Sequence, residues 1–254
     1  MITVRIALVA VLLGFAPAAL SAQDEALRGL FLQTRPPINQ KPRPQTAAPT
    51  QMALGYTLLL RSAFTEPVRV SSSHSFNEGD GIRILIESSA DGYLYLFNRE
   101  GNGPLRMIFP DPRIRRGQNR LPAHVPLIVP PEPAAAAGSS AGWFVFSGPP
   151  EPERLFLVFS REPVRGWPHG DELLAYTGGF QLSWELFRQS TAAEAQDVLL
   201  RAKRNEGQVL SPGELTSVSR GLTLSRKDPP PSVIRVSKHP RAQQLVSEIE
   251  LRRR

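Results

Sequence analysis

The alternation of apolar and polar positions changes character twice along the chain. From Ala53 to residue 165 it has a period of two. "LGYTLLLR" sets Leu54, Tyr56, Leu58 and Leu60 on one side, and "GIRILIES" sets Ile82, Ile84 and Ile86 against Arg83, Leu85 and Glu87. "GYLYLFNR" sets Tyr93, Tyr95 and Phe97 against Leu94 and Leu96. Further apolar runs in "LRMIFP", "VPLIV", "GWFVFSG" and "RLFLVFS" are separated by loops rich in Gly, Pro, Asp and Asn. Strands this short and this regularly spaced predict an antiparallel sandwich or barrel. The second and third strands are joined by Ser88-Ser89-Ala90-Asp91, and Gly92 is free to take a positive φ, so a hairpin with a bulged turn is expected between them. Both are apolar on both faces for part of their length, as central strands covered on each side would be. The Tyr93, Tyr95, Phe97 stripe therefore reads as core rather than as an exposed binding face.

Past residue 166 the period becomes helical. "STAAEAQDVLLRAKRNEG" predicts a helix capped by Ser190 or Thr191, with Glu194 completing a capping box and the end at Asn205 or Gly207. "SPGELTSVSRG" repeats the device with Ser211 as cap, Pro212 at the first helical position and Glu214 in the box. "GFQLSWELFRQ" predicts another helix. Beyond the prolines at 229–231, "SVIRVSK" and "LVSEIEL" return to strand composition. The fold class is thus mainly β: an antiparallel β-sandwich over residues 53–254 with a helical insertion at about 170–221, before the last strands.

The amino-terminal part differs from both. Residues 1–22 run from one basic residue, Arg5, through an apolar core, Ile6 to Phe15, to small residues around Ala19, Ser21 and Ala22. That order predicts a secretory signal cleaved before Gln23, since Pro17 and the small residues fit an exit site better than the interior of a retained anchor. Residues 23–52 hold a short amphipathic piece, "DEALRGLFLQT", and then Pro36, Pro37, Pro42, Pro44 and Pro49, which stop helix and ladder alike and predict a linker. No later stretch is apolar enough to span a bilayer, so no membrane span is expected once the signal is removed.

Composition narrows the chemistry. The 254-residue chain has no cysteine, which excludes disulfides and thiolate metal sites and suits an exported protein held together by packing. Its net charge of +7 is dispersed: residues 53–165 carry twelve basic and eleven acidic groups, and residues 166–254 thirteen and ten. No face is concentrated enough to bind phosphates, so nucleic acid is not an expected partner. The Arg113, Arg115, Arg116 cluster and the terminal Arg252, Arg253, Arg254 read as a solvated loop and tail.

Gly138, Ser139, Ser140, Ala141 and Gly142 match Gly-x-Ser-x-Gly, but "PPEPAAAA" precedes them and "WFVF" follows, without the strand-to-helix turn a nucleophilic serine needs. His74, His124, His169 and His239 are scattered with no second ligand at metal spacing, and read as solvated loop residues. "FNEGDG" brings Asn77, Glu78 and Asp80 together but lacks the spacing of a calcium loop, so it reads as a turn. Glu151 with Glu153 and Glu248 with Glu250 are the nearest carboxylate pairs, each explained by solvated strand or loop edges. No catalytic, cofactor or metal residue is assigned, and no cofactor is implied. Exposed, Trp143, Trp167 or Trp184 would offer a sugar platform; a core role predicts them buried.

"LGYTLLLR", "FNEGDGIRILIESSADGYLYLFNREG" and "LRMIFPDP" together resemble a bacterial domain of unknown function, family 4384, with weaker likeness in "RLFLVFSREP" and "LVSEIELRRR". Phe76, Gly79 and Asp80, then Asp91, Gly92 and Tyr93, then Phe109 and Pro110 occupy the places of the family's turn signature. The family has no established activity, and its members occur alone in exported proteins or beside peptidase-like and kinase-like partners. The resemblance implies an accessory module. The expectation is an exported, periplasmic or secreted, interaction module without catalytic activity of its own, binding an unknown protein partner in the cell envelope. The alternative is an envelope hydrolase or glycan-binding protein.

Overall fold

The computed structural model describes residues 22–37, 40–41, 51–61, 66–131, 142–148, 151–191, 198–201, 206–237, 239 and 241–254. The predicted signal, most of the proline-rich run and Gly138 to Ala141 lie outside the described residues. In chain order the first strands are β1 (Ala53–Leu60), β2 (Val68–Val70), β3 (Ser75–Phe76), β4 (Gly81–Ser88), β5 (Gly92–Glu100), β6 (Leu105–Phe109) and β7 (Arg120–Leu121). There follow β8 (Leu127–Val129), β9 (Phe144–Val145), β10 (Glu153–Ser160), β11 (Gln181–Leu182), β12 (Val198–Arg201), β13 (Val233–Val236) and β14 (Gln244–Arg253). The helices are α1 (Ala22–Gln33), α2 (Trp184–Ser190) and α3 (Pro212–Arg220).

Among the described residues the strands form two seven-stranded sheets. The first runs β12-β13-β1-β4-β8, with β2 on β1 and β9 on β4; the second runs β11-β6-β5-β10-β14-β3, with β7 on β5. Every pairing is antiparallel except β3 with β14. The period-two pattern explains the sandwich. Leu54, Tyr56 and Leu58 of β1 and Ile82, Ile84 and Ile86 of β4 face Leu94 and Leu96 of β5 and Leu155, Leu157 and Phe159 of β10, closing one core between the sheets. The opposite face of the second sheet, Tyr95, Phe97, Phe156 and Val158, is covered by Trp167, Leu173, Phe180 and Phe187 from the segment after β10. The aromatic stripe is thus core: Tyr95 and Phe97 are fully buried, and Trp167 meets Phe97 edge-on at 4.8 Å.

Two connections differ from the sequence pattern. β4 and β5 are not a hairpin: β4 is central in the first sheet and β5 in the second, so the link at 88–91 crosses the core. Its backbone is satisfied from elsewhere, with Ser89 N donating to Ala53 O at 2.9 Å and Leu94 N to Asn119 O at 2.9 Å. Gly92 does not have positive φ; it is required because a Cβ there would lie 2.5 Å from the Phe159 ring and 2.6 Å from Ser160 O. The insertion is also less helical than its pattern. Val198–Arg201, read as part of a helix, is β12 and pairs with β13 from Val198–Val236 to Arg201–Val233. The apolar Val-Leu-Leu run finds an open sheet edge, and tertiary pairing overrides its helical spacing. Thr191, read as a helix start, ends α2, its amide and hydroxyl both donating to Phe187 O. α3 follows the pattern closely: Ser211 Oγ accepts from Glu214 N, the Glu214 carboxylate accepts from Ser211 N, and Gly221 closes the helix at φ 60°.

The outer face of the first sheet carries the largest departure. α1 places Phe31 against Ala53, Ile234 and Val236, and the chain after it does not leave the body as a spacer would. Arg35 is 1% exposed, its guanidinium donating to both oxygens of Glu87 at 2.8 and 2.6 Å and to the carbonyls of Ser225, Asp228 and Pro229. Gln40 exchanges backbone and side-chain hydrogen bonds with Thr223. His124, read as a solvated loop histidine, is buried, with Nδ1 2.7 Å from Glu87 Oε1 and Nε2 2.8 Å from Thr34 Oγ1. Burial alone would push the Glu87 carboxyl up, but the Arg35 charge and the His124 and Arg35 hydrogen bonds outweigh it and hold Glu87 below its usual range. A second buried pair, Arg69 with Glu214, ties β2 to α3. The partners lie far apart in sequence, and one basic residue among prolines carries no spacing signal for burial.

Candidate binding cleft

The sandwich is open along one side. β10 pairs with β14 from Gln244 to Leu251, and β3 takes the other edge of β14 only at Arg252 and Arg253. Among the described residues no strand takes that other edge from Leu245 to Leu251. In the facing sheet β13 and β2 share one edge of β1, β13 along Ala53–Tyr56 and β2 along Leu58–Leu60. Between these edges lies a cleft of about 610 Å³. Tyr56, Leu58, Val233 and Ile249 give it an apolar floor, and Ser71 to Ser73, Arg235, Glu248 and Glu250 line its rim.

Each lining group is placed by the strand pattern. Odd residues of β14, Leu245, Ser247, Ile249 and Leu251, face the core and are buried, while Glu248, Glu250 and Arg252 are exposed. Arg235 Nη2 spans the opening to donate to Glu248 O at 3.4 Å. Arg154 lies 3.6 Å from Glu248 and Arg252 3.6 Å from Glu250, exposed pairs that add little stability. The expected pair Glu248 and Glu250 therefore sits on the rim, set in ion pairs rather than turned toward each other. Among the described residues no group of three or more His, Asp or Glu side chains could hold a metal ion. The cleft offers apolar floor, hydroxyls, mixed charge and an unpaired backbone edge, which suits recognition of an extended chain.

The other sequence candidates lie elsewhere. His74 packs edge-on against Phe76 at 4.9 Å, and His169 Nδ1 is 3.6 Å from Glu172. Gly142 O accepts from Arg83 Nε at 2.7 Å. Trp167 is buried. Trp143 is half-buried beneath the Arg83 guanidinium, and Trp184, 36% exposed, has Arg99 over its ring at 4.8 Å and stacks with Phe187.

The signature residues build turns and core. Phe76 stacks on Phe146 at 4.7 Å, Gly79 has φ 84°, and Asp80 Oδ2 accepts from Asn77 N at 2.8 Å, so "FNEGDG" is a turn. Asp91 Oδ1 accepts from Ala123 N at 2.9 Å, which fixes the crossing from β4 to β5. Tyr93 packs against the second core, and Phe109 and Pro110 are buried where β6 ends. Residues 75–163 match the model of the domain of unknown function DUF4384. The match bears out the resemblance from β3 to just past β10. "LGYTLLLR" in β1 and "LVSEIELRRR" in β14 fall outside it. No curated protein and no solved structure matches the chain.

Every residue lining the cleft lies outside the DUF4384 segment, on β1, β2, β13, β14 and their flanks. Sequence reasoning missed the cleft for that reason among others. Its one legible trace is the exposed alternation of Glu248, Glu250 and Arg252, a pattern of charged edge strands.

Proposed function

We propose that the protein is an exported accessory module that binds an extended segment of a protein partner in the cell envelope, with no catalysis of its own. The observation that carries this reading is the unpaired edge of β14 beside the apolar-floored cleft. A strand added there gains main-chain hydrogen bonds from the edge and specificity from alternate side chains seated against Tyr56 and Val233. Its remaining side chains would flank Glu248 and Glu250, where cross-strand pairs with basic or polar residues are favourable. The amino-terminal charge and apolar pattern supports export.

The test is site-specific photocrosslinking in the native envelope, using the chain from residue 23 so that Arg35 is kept. A photoreactive residue at Ser72 or Glu248 is expected to capture one reproducible partner, and the same residue at Arg113 is expected to capture none. Equal capture from all three positions, or capture from Arg113 alone, would remove the cleft from the reading. Cell fractionation checks export through recovery of the shortened chain outside the cytoplasm.

A further inference from the structure

The inward-facing pattern of the second sheet turns polar at one end of the sandwich. Along β5, Leu94 and Leu96 are core, and the next residues on that face are Asn98 and Glu100. Along β10, Leu155, Leu157 and Phe159 are core, and the preceding residue on that face is Glu153. Glu100 and Glu153 stand directly opposite each other in the ladder, an arrangement that like charges disfavour. They border a pocket of about 190 Å³ walled by Ile82, Ile108, Phe144, Leu155 and Leu251, apart from the cleft at β14.

The side chains lining this pocket carry more acceptors than donors, the donors being the Asn98 amide and the Ser147 hydroxyl. Asn98 Oδ1 is shielded from water and accepts no hydrogen bond. Glu153 has a side chain only 18% exposed, and burial pushes its carboxyl above the usual range; Arg253 and a hydrogen bond from the Asn98 side chain counter that, and the Glu100 charge adds to it. Arg253, the nearest cation, stands 3.8 Å from Glu153, with its Nη atoms donating to Ser147 O and Gly148 O. Three acceptors, two of them carboxylates, therefore meet at a cavity of mixed polar and apolar lining, smaller than a drug-sized site.

We propose that this pocket is a socket for an alkylammonium group, a free primary amine or the lysine side chain of a bound protein. An ammonium has three donors and no acceptor, matching the three acceptors of Asn98, Glu100 and Glu153. The methylene stem lies along Ile82, Phe144 and Leu251, as long cationic side chains do on apolar surface. The bound charge also relieves the repulsion between the facing carboxylates. All lining residues but Leu251 belong to the DUF4384 segment, so this site is independent of the cleft reading.

The experiment is an NMR titration of the chain from residue 23 at pH 8 with n-butylamine, n-butanol, and an end-capped Ala-Lys-Ala peptide. Expected are saturable amide shifts confined to residues around Asn98, Glu100, Phe144 and Glu153 with the amine or the peptide, and none with butanol. Tighter binding of the peptide identifies a protein side chain as the source; tighter binding of the amine identifies a free ligand. Glu153→Gln, which is isosteric, and Glu100→Gln, at an exposed position, are each expected to weaken binding at least tenfold without lowering the thermal midpoint. No saturable shift from either cation, an equal response to butanol, or unchanged affinity in both variants overturns the proposal.

Discussion

Replacing Arg35 by Met tests whether the amino-terminal segment belongs to the folded body. The substitution keeps a long apolar stem but removes a guanidinium that pairs with both Glu87 oxygens and satisfies three carbonyls. Glu87 is left buried with His124 as its remaining polar partner. Breaking a buried pair costs about 3–5 kcal/mol, and the surviving His124 contact places the expectation near the lower end, about 3 kcal/mol. For a chain of this size that corresponds to a fall of roughly 6–12 °C in the thermal midpoint. Adding Glu87→Gln should recover at least half of the loss, because the uncompensated charge is then gone. The pH dependence has a defined sign. Glu87 is held below its unfolded value of 4.5, so its stabilisation is present above that pH and is lost as pH falls through the lowered folded value. Without Arg35, burial favours the protonated carboxyl, so the gap between native chain and variant should be widest near neutral pH and shrink in acid. Urea denaturation followed by tryptophan emission, from pH 3 to 8, measures both effects. A loss under about 1 kcal/mol, or one independent of pH, would mean that Thr34 and Arg35 are not docked as described.

Three further outcomes follow from single contacts. Gly92→Ala should destabilise by about 1–3 kcal/mol, since its Cβ meets the Phe159 ring and Ser160 backbone, and an unchanged urea midpoint would contradict the close approach of β5 to β10. Ser247 is fully buried with no partner for its hydroxyl, so Ser247→Ala should be neutral or stabilising by up to about 1 kcal/mol; a clear loss would reveal a hydrogen bond there. Glu153 keeps its proton to higher pH in the folded than in the unfolded chain, so stability should fall as pH rises from about 4.5 through the raised value. Glu153→Gln should remove that slope, and parallel denaturation midpoints at pH 4 and 7 would show otherwise.

The strands themselves were legible. Period-two runs at Leu54–Leu60, Ile82–Ile86 and Leu94–Phe97 became β1, β4 and β5, because alternation reports burial of one face whichever sheet supplies the cover. Pairing was not legible. Ser88 to Asp91 has hairpin composition, yet β4 and β5 are both apolar on two faces and each is used at the centre of its own sheet. Local patterns worked where their partners are local, as in the Ser211–Glu214 box, and failed at Val198–Arg201, where β13 supplied partners from 32 residues on (Arg201 with Val233) to 38 residues on (Val198 with Val236). Arg35, Glu87 and His124 show the same limit in the polar groups: 52 residues separate the first two, and nothing in spacing announces the meeting. The cleft depends on which edge of β14 goes unpaired, a property of the assembled sheets alone.

The described residues around the prolines are fastened to the body, Gln40 to Thr223 and Met52 to Ser237. Tension applied ahead of Ala22 passes along α1 and loads first the packing of Phe31 on Ala53, Ile234 and Val236, and then the Arg35–Glu87 contact in the first sheet. A pull on the amino end would therefore meet an apolar contact backed by a charged one, and acid would soften only the second.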